Sequence, residues 1–401
     1  MNNVLLLGFG TQATEYIKVI KDRGYHLTAS DLKTYYELEN NQKLSSKIDK
    51  FIEYEDFHQE TFYKVAIEAN QICPLKAVVP LADGHVLPAA LVQEKLSLKG
   101  PGLHAAIIST NKALQRQLFS MEGISIPSHM QFNIAQAESA LNKLDFPIVL
   151  KPVNKFGSIG VKIVYSYQEA LQHLADIKQH SEVFLAEEYI DGEEFSIESI
   201  VQREEIIFTN ITKKVLGDKP LFVEKAHLLP YGANLTKELK EKILSLNEKV
   251  IKALDVKDSI VHLEIKIGKA GPVVIEVAVR MPGDKIMELI EQSTGINMYS
   301  AFVDILLGNT PNLKQTKNTF SSVVWFSAPK YGQLESVKIP ENIQQKYNIQ
   351  TIEFIKTPGD IVQPMTSSFD RLGYCILSCD DYAKLEKHSN RIEKEIEIEI
   401  I

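Results

Sequence analysis

The stretch VHLEIKIGKAGPVVIEVAVR (261–280) contains two runs in which apolar and polar residues alternate, VHLEIKI (261–267) and VVIEVAVR (273–280), joined by GKAGP. A period of two is the pattern of a strand with one buried face, and the short Gly-containing joint predicts a hairpin. Centred on Ala270, that hairpin sets Glu264 opposite Glu276, with Cβ atoms roughly 5 Å apart. The same register places His262, Glu264, Lys266, Glu276, Ala278 and Arg280 on one face, and Leu263, Ile265, Ile267, Val273, Ile275, Val277 and Val279 on the other. The apolar face is core. Two facing carboxylates with an arginine beyond them suit a hard divalent cation holding a polyphosphate, because Mg²⁺ prefers one or two carboxylates completed by phosphate oxygens. The plain alternative is a solvated face whose acids pair with Lys266 and Arg280.

The surrounding chain fits a globular protein of two or three domains, with 401 residues, 44% hydrophobic and 24% charged. A net charge of -8 without a basic cluster argues against a nucleic-acid partner and points to small molecules. Cys73, Cys375 and Cys379 have no zinc-ligand spacing and read as thiols in a reducing compartment, the last two as small core residues. The opening MNNVLLLGFG lacks the pattern of a secretory leader, and no segment approaches the ~18 apolar residues needed to cross a bilayer. The expectation is a cytoplasmic protein with no membrane partner.

Upstream, VLLLGFG (4–10), a helical segment ending at Gly24, YHLTASD (25–31) and KAVVPLADG (76–84) alternate strand and helix, which predicts a parallel α/β layer. Gly8, Gly10 and Ala13, with Asp31 after the next strand, match a dinucleotide fingerprint, but a tight strand-to-helix turn needs only the glycines. STNKALQRQLFSMEG (109–123) reads as a capped helix, and the first junction falls near residues 100–110. In DFPIVLKPVNKFGSIGVKIVYS (145–166) a strand delivers Lys151 to a loop with Gly157, Ser158 and Gly160, where backbone N–H groups and a lysine suit phosphate; a plain glycine hairpin fits too. EVFLAEEYIDGEEFSIESI (182–200) reads as two strands about a turn at Asp191 and Gly192. After residue 310, the runs 321–337, 360–379 and 395–401 alternate like strands of one antiparallel sheet, with Trp325, Phe326 and Tyr374 in its core or seam. AKLEKHSNRIEKE (383–395) reads as a solvated helix.

Taken in order, these segments resemble the ATP-grasp superfamily over about residues 105–310. The resemblance assigns Lys112 and Lys151 to phosphate, 154–160 to the glycine loop, Glu187, Glu188 and Ile190 to the adenine hinge, and Glu194 to the ribose. It assigns Glu264 and Glu276 to magnesium, and Arg280 to the acyl phosphate and tetrahedral intermediate. The superfamily pattern Glu-x-Asn-x-Arg is broken by Ala278, which removes one usual metal ligand; His262, opposite Ala278, is the nearest substitute. FVEKAHLLP (222–230) and EVAVRMPGDKIMELIEQSTGIN (276–297) are most similar to bacterial carboxylate–amine ligases of the L-amino-acid (dipeptide) type. The similarity implies an α/β and α+β protein: a Rossmann-like pre-ATP-grasp domain (1–105), the ATP-grasp domain (106–310) and a small β-rich domain (311–401). It implies ATP with Mg²⁺ or Mn²⁺, carboxylate and amine substrates of the amino-acid class, and room for a homodimer. Glu224, His227 and Gly283, with Asp83 from the first domain, would line the substrate site beside Arg280. The other readings are an ATP-grasp carboxylase or amidoligase of a purine-type metabolite, an NAD-dependent oxidoreductase, and a non-catalytic nucleotide-binding protein.

Overall fold

A computed structural model describes residues 2–9, 13–36, 44–56, 58–155, 159–217 and 223–401. The chain starts with a parallel four-stranded sheet in the order Lys50–Tyr54, His26–Leu32, Asn3–Leu7, Leu75–Pro80. Every residue of the strand Asn3–Leu7 is buried, as expected of a parallel strand covered on both faces. The turn after it is closed from within. Gly8 has φ +100°, and a Cβ there would lie 2.8 Å from His85 Cε1, so backbone and space both require glycine. Asp31, which a dinucleotide site would turn to a ribose, is buried and accepts from the N–H groups of Phe9 (2.5 Å) and Leu32 (2.7 Å) and from the Tyr54 hydroxyl (3.1 Å). Gly10 lies outside the described residues.

The run at 109–123 forms the helix Lys112–Met121, entered through Asn111, whose side chain accepts from the N–H groups of Ala113 and Leu114; Ser109 ends a separate helix, Leu103–Ser109. An antiparallel four-stranded sheet follows, in the order His129–Asn133, Val183–Glu188, Ile148–Pro152, Lys162–Val164. The largest layer is an antiparallel sheet of eight strands: Gly271–Ala278, Ser259–Gly268, Glu194–Gln202, Glu205–Leu216, Glu224–Leu229, Phe320–Phe326, Gly373–Cys379 and Ile349–Phe354.

That sheet corrects the expectation of a single C-terminal sheet. Ala226 pairs with Val324 and Leu229 with Ser321, so Phe320–Phe326 and Gly373–Cys379 continue the central sheet. The terminal strand Glu397–Ile400 joins Gly332–Lys338 and Ile361–Val362 in a separate three-stranded sheet. Adding strands covers the edge that Glu224–Leu229 would otherwise expose. The helix Tyr382–Ile392 is amphipathic rather than wholly solvated, since it buries Leu385 and Ile392.

One apolar core includes Val4, Tyr16, Ile290, Phe302, Trp325 and Tyr374, so the first layer, the helices Ile286–Thr294 and Met298–Leu306 and the later strands pack together. Arg23 holds Asp304 at 2.9 Å and 3.1 Å across that contact. Trp325 and Tyr374 serve the seam, as the sequence suggests, while Phe326, Cys375 and Cys379 belong to a neighbouring core. Cys375 and Cys379 are buried thiols. Among the described residues no helix is long and apolar enough to cross a membrane.

Candidate active site

A cavity of about 320 Å³ lies between the four-stranded and eight-stranded sheets and is lined by both. Of the residues singled out from sequence, Asp83, Lys112, Lys151, Glu187, Glu188, Ile190, Glu194, Glu224, His227, Glu264, Glu276, Arg280 and Gly283 all line it. Gly157 and Ser158 lie outside the described residues. Gly160 is not among the lining residues; its φ is +73°, and a Cβ would press on Pro152 Cγ at 3.1 Å, so its role here is in the turn.

The hairpin puts Glu264 opposite Glu276 and His262 opposite Ala278, as the alternation predicts. Beyond Glu264 the register shifts by one: Ile265 pairs with Val274, which leaves Ile275 as the extra residue of a bulge. Val274 therefore enters the core, while Ile275, expected there, lines the cavity instead. With Pro127, Val149, Val161 and Ile190 it makes an apolar wall beside Glu188, of a kind that suits a flat ring.

Each hairpin carboxylate has a lysine rather than its opposite number as partner. Lys112 Nζ lies 2.7 Å from Glu276 Oε1 and donates also to the Lys155 carbonyl at 2.6 Å. Lys214 Nζ lies 2.8 Å from Glu264 Oε1, 3.0 Å from Glu224 Oε1 and 3.1 Å from Glu194 Oε1. Burial opposes the charge on Glu264, but Lys214 and His262 outweigh it and hold the carboxyl well below its usual range. His262 sits between Glu264 (3.2 Å) and the buried Glu198 (3.1 Å). Burial opposes its charged form, yet hydrogen bonds to the two carboxylates raise its pKa to about 9, so it is an imidazolium at neutral pH.

A second network surrounds Lys151. Arg116 and Lys151 both hold Glu187, at 2.7 Å and 2.6 Å, with all three side chains buried. Burial pushes the Glu187 pKa up, but the two cations prevail and bring it down to about 2. Arg116 also donates to the Ile275 carbonyl at 2.6 Å, tying the bulge to the helix. Glu187, expected to serve through its backbone, thus has a buried charge network of its own.

The third group surrounds Arg280. Asp83, the first residue of the helix Asp83–Lys95, grips Arg280 through two hydrogen bonds of 2.7 Å and 2.5 Å, and Arg280 Nη1 donates to the Met281 carbonyl at 2.7 Å. Nearby, Asp284 accepts from Arg371 at 2.6 Å and lies 3.4 Å from His227 Nε2. Asp284 and Lys285 both have positive φ, +56° and +63°, an uncommon conformation for non-glycine residues that collects at functional turns.

Sequence reasoning missed Arg116, Lys214, Ile275 and Arg371. Two of them left a signal: Arg116 is four residues from Lys112 on one helix face, and Asn210, Thr212 and Lys214 alternate along one strand. Arg371 comes from the C-terminal loops and stacks 4.1 Å over Trp325, a contact no local pattern encodes.

Two family models match the chain: an ATP-grasp domain over residues 144–288 and an L-amino acid ligase C-terminal domain 2 over 324–400. The L-arginine-specific L-amino acid ligase of Bacillus subtilis is 26% identical over 324 residues, covering 77% of each chain. Alanine–anticapsin ligase of Bacillus subtilis (strain 168) is 25% identical over 322 residues, 72% of this chain and 64% of that protein. In fold, the crystal structure of an L-amino acid ligase from Bacillus licheniformis superposes with a TM-score of 0.86 at 20% identity, covering 100% of this chain and 99% of that one.

Proposed function

We propose, for a chain that belongs to the ATP-grasp superfamily and is an ATP-dependent carboxylate–amine ligase, that both substrates are amino acids and that the cavity between the two sheets joins them. The observation that carries this reading is the meeting of Lys112, Lys151, Glu264, Glu276 and Arg280 in one cavity. The functional units we assign are 1–105, 106–310 and 311–401, although the central sheet runs on past residue 310.

The base would lie against Ile275, Val149 and Ile190, with its edge on the backbone after Glu188 and its ribose at Glu194. Lys112 and Lys151 stand where the phosphates would follow. Both ammonium groups are held by carboxylates, Glu276 and Glu187, so the polyphosphate must compete for them. The donor set at the hairpin fits Mg²⁺ or Mn²⁺: among the described residues no three acidic, histidine or cysteine side chains form a closed metal site, and two carboxylates suit an ion completed by phosphate oxygens and water. Bound by Glu264 and Glu276, such an ion would neutralise the charge of the γ-phosphoryl group in transfer to a substrate carboxylate.

The product of that step is an acyl phosphate, and attack by the second substrate's amine releases phosphate. Asp83 and Met281 take part of the Arg280 donor set and leave an N–H on each terminal nitrogen for the oxyanion, a preorganised contact whose loss costs roughly 3 kcal/mol. Glu224, His227 and Gly283 complete the amino-acid end. Phosphate release measured against pairs of amino acids tests the reading: release that needs two amino acids together supports it, and release driven equally by bicarbonate or ammonia refutes it.

A further inference from the structure

We propose that Lys214 is a built-in counter-ion that keeps divalent cations off the hairpin carboxylates until a nucleotide arrives. This rests on the assignment of Glu264 and Glu276 as metal ligands.

An ammonium has three hydrogens, and Lys214 has three carboxylate acceptors, Glu264, Glu224 and Glu194, between 2.8 Å and 3.1 Å away. Its side chain is 3% exposed. The residue sits inside the central sheet, paired with Glu194 on one side and His227 on the other, so its stem is fixed by two ladders. Lys112 differs: it opens a helix and meets one carboxylate and one loop carbonyl, a partnership that a phosphate can replace.

Without the ammonium, three carboxylates would leave a concentrated negative charge beside the hairpin that draws cations toward it, although the three do not themselves make a metal site. Lys214 satisfies them, and His262 Nε2 meets the same Glu264 oxygen at 3.2 Å. What remains for a metal is the other oxygen of Glu264 and Glu276, the latter shared with Lys112. Such a site binds an ion weakly until phosphate oxygens join the shell and draw Lys112 away. The nucleotide and the metal therefore enter as one complex.

The test is Mn²⁺ binding followed by electron paramagnetic resonance, with and without ADP. Wild type and Lys214→Arg should bind Mn²⁺ with ADP and at least about tenfold more weakly without it. Lys214→Met should bind Mn²⁺ alone at least about tenfold more tightly than wild type, and ADP more weakly. A merely structural lysine would weaken both when removed. Tight Mn²⁺ binding by nucleotide-free wild type overturns the proposal without recourse to any variant, as does a folded Lys214→Met with unchanged or weakened Mn²⁺ affinity. If wild type binds no Mn²⁺ even with ADP, the metal assignment itself fails and the proposal falls with it.

Discussion

The turn at Gly8 and the hairpin at 261–280 both carry an acid where a nucleotide-binding motif wants one, and they differ in what that acid touches. Asp31 accepts from two backbone N–H groups and a buried tyrosine, partners that cannot leave without unfolding the turn. Glu276 accepts from the Lys112 ammonium, which sits on a flexible four-carbon stem and can change partners. A carboxylate satisfied by backbone is structural, whereas one satisfied by a movable ammonium is available to a ligand. Glu187 lies between the two cases, held by the buried Arg116 and by the Lys151 ammonium.

The comparison breaks if the two acids fail in the same way. The largest effect belongs to Glu276→Ala, which should lower turnover by at least about a thousandfold, roughly 4 kcal/mol. Its nucleotide-free melting temperature should barely move, because Glu276 is itself partly exposed and the Lys112 ammonium keeps the Lys155 carbonyl as a partner. Opposed bare carboxylates would gain stability from the change; the lysine on each removes that strain. Activity close to wild type would end the metal assignment.

Glu187→Gln comes next, since it strands two buried cations, and should cost about 3 kcal/mol in stability at pH 7. The Glu187 pKa is about 2 in the folded chain against a usual 4.5. A depressed carboxylate stabilises above its unfolded pKa and loses that contribution as pH falls through the folded value. The stability gap between wild type and Glu187→Gln should therefore narrow between about pH 5 and pH 2, as followed by denaturant melts. A gap independent of pH would mean that the carboxylate is not ionised.

The smallest effect is that of Asp31→Ala, which should cost about 2 kcal/mol by leaving buried donors unpaired. Activity per folded molecule should stay within about a factor of two. A selective loss of ATP affinity in this variant would restore a ligand role to the first turn.

Much of the site could be read along the chain because its residues fall in local patterns: alternation pairs Glu264 with Glu276, and the lysines stand beside recognisable turns. The bulge could not be read, since Val273, Val274 and Ile275 are equally apolar and any of them can be the extra residue. Strand partners were hidden for the same kind of reason. EIEIEII alternates well, but alternation fixes a face and leaves the neighbour open, so its place beside Gly332–Lys338 came as a correction. Lys214 reaches the cavity through strand pairings, and Arg371 braces its wall through Asp284 and Glu224, contacts across many residues that no window along the sequence reports.

The central claim is that the carboxylate is activated on its own as an acyl phosphate before the amine attacks. Hydroxylamine supplied in place of the amine substrate tests it most directly. On the proposed assignment the two lysines and the hairpin carboxylates would surround the β- and γ-phosphates, so a hydroxamate should form with ADP and phosphate as the other products. Arg280→Ala should retain ATP binding and form hydroxamate at least about a hundredfold more slowly. Formation of AMP and pyrophosphate, or no hydroxamate under conditions where the amine is consumed, would contradict the account.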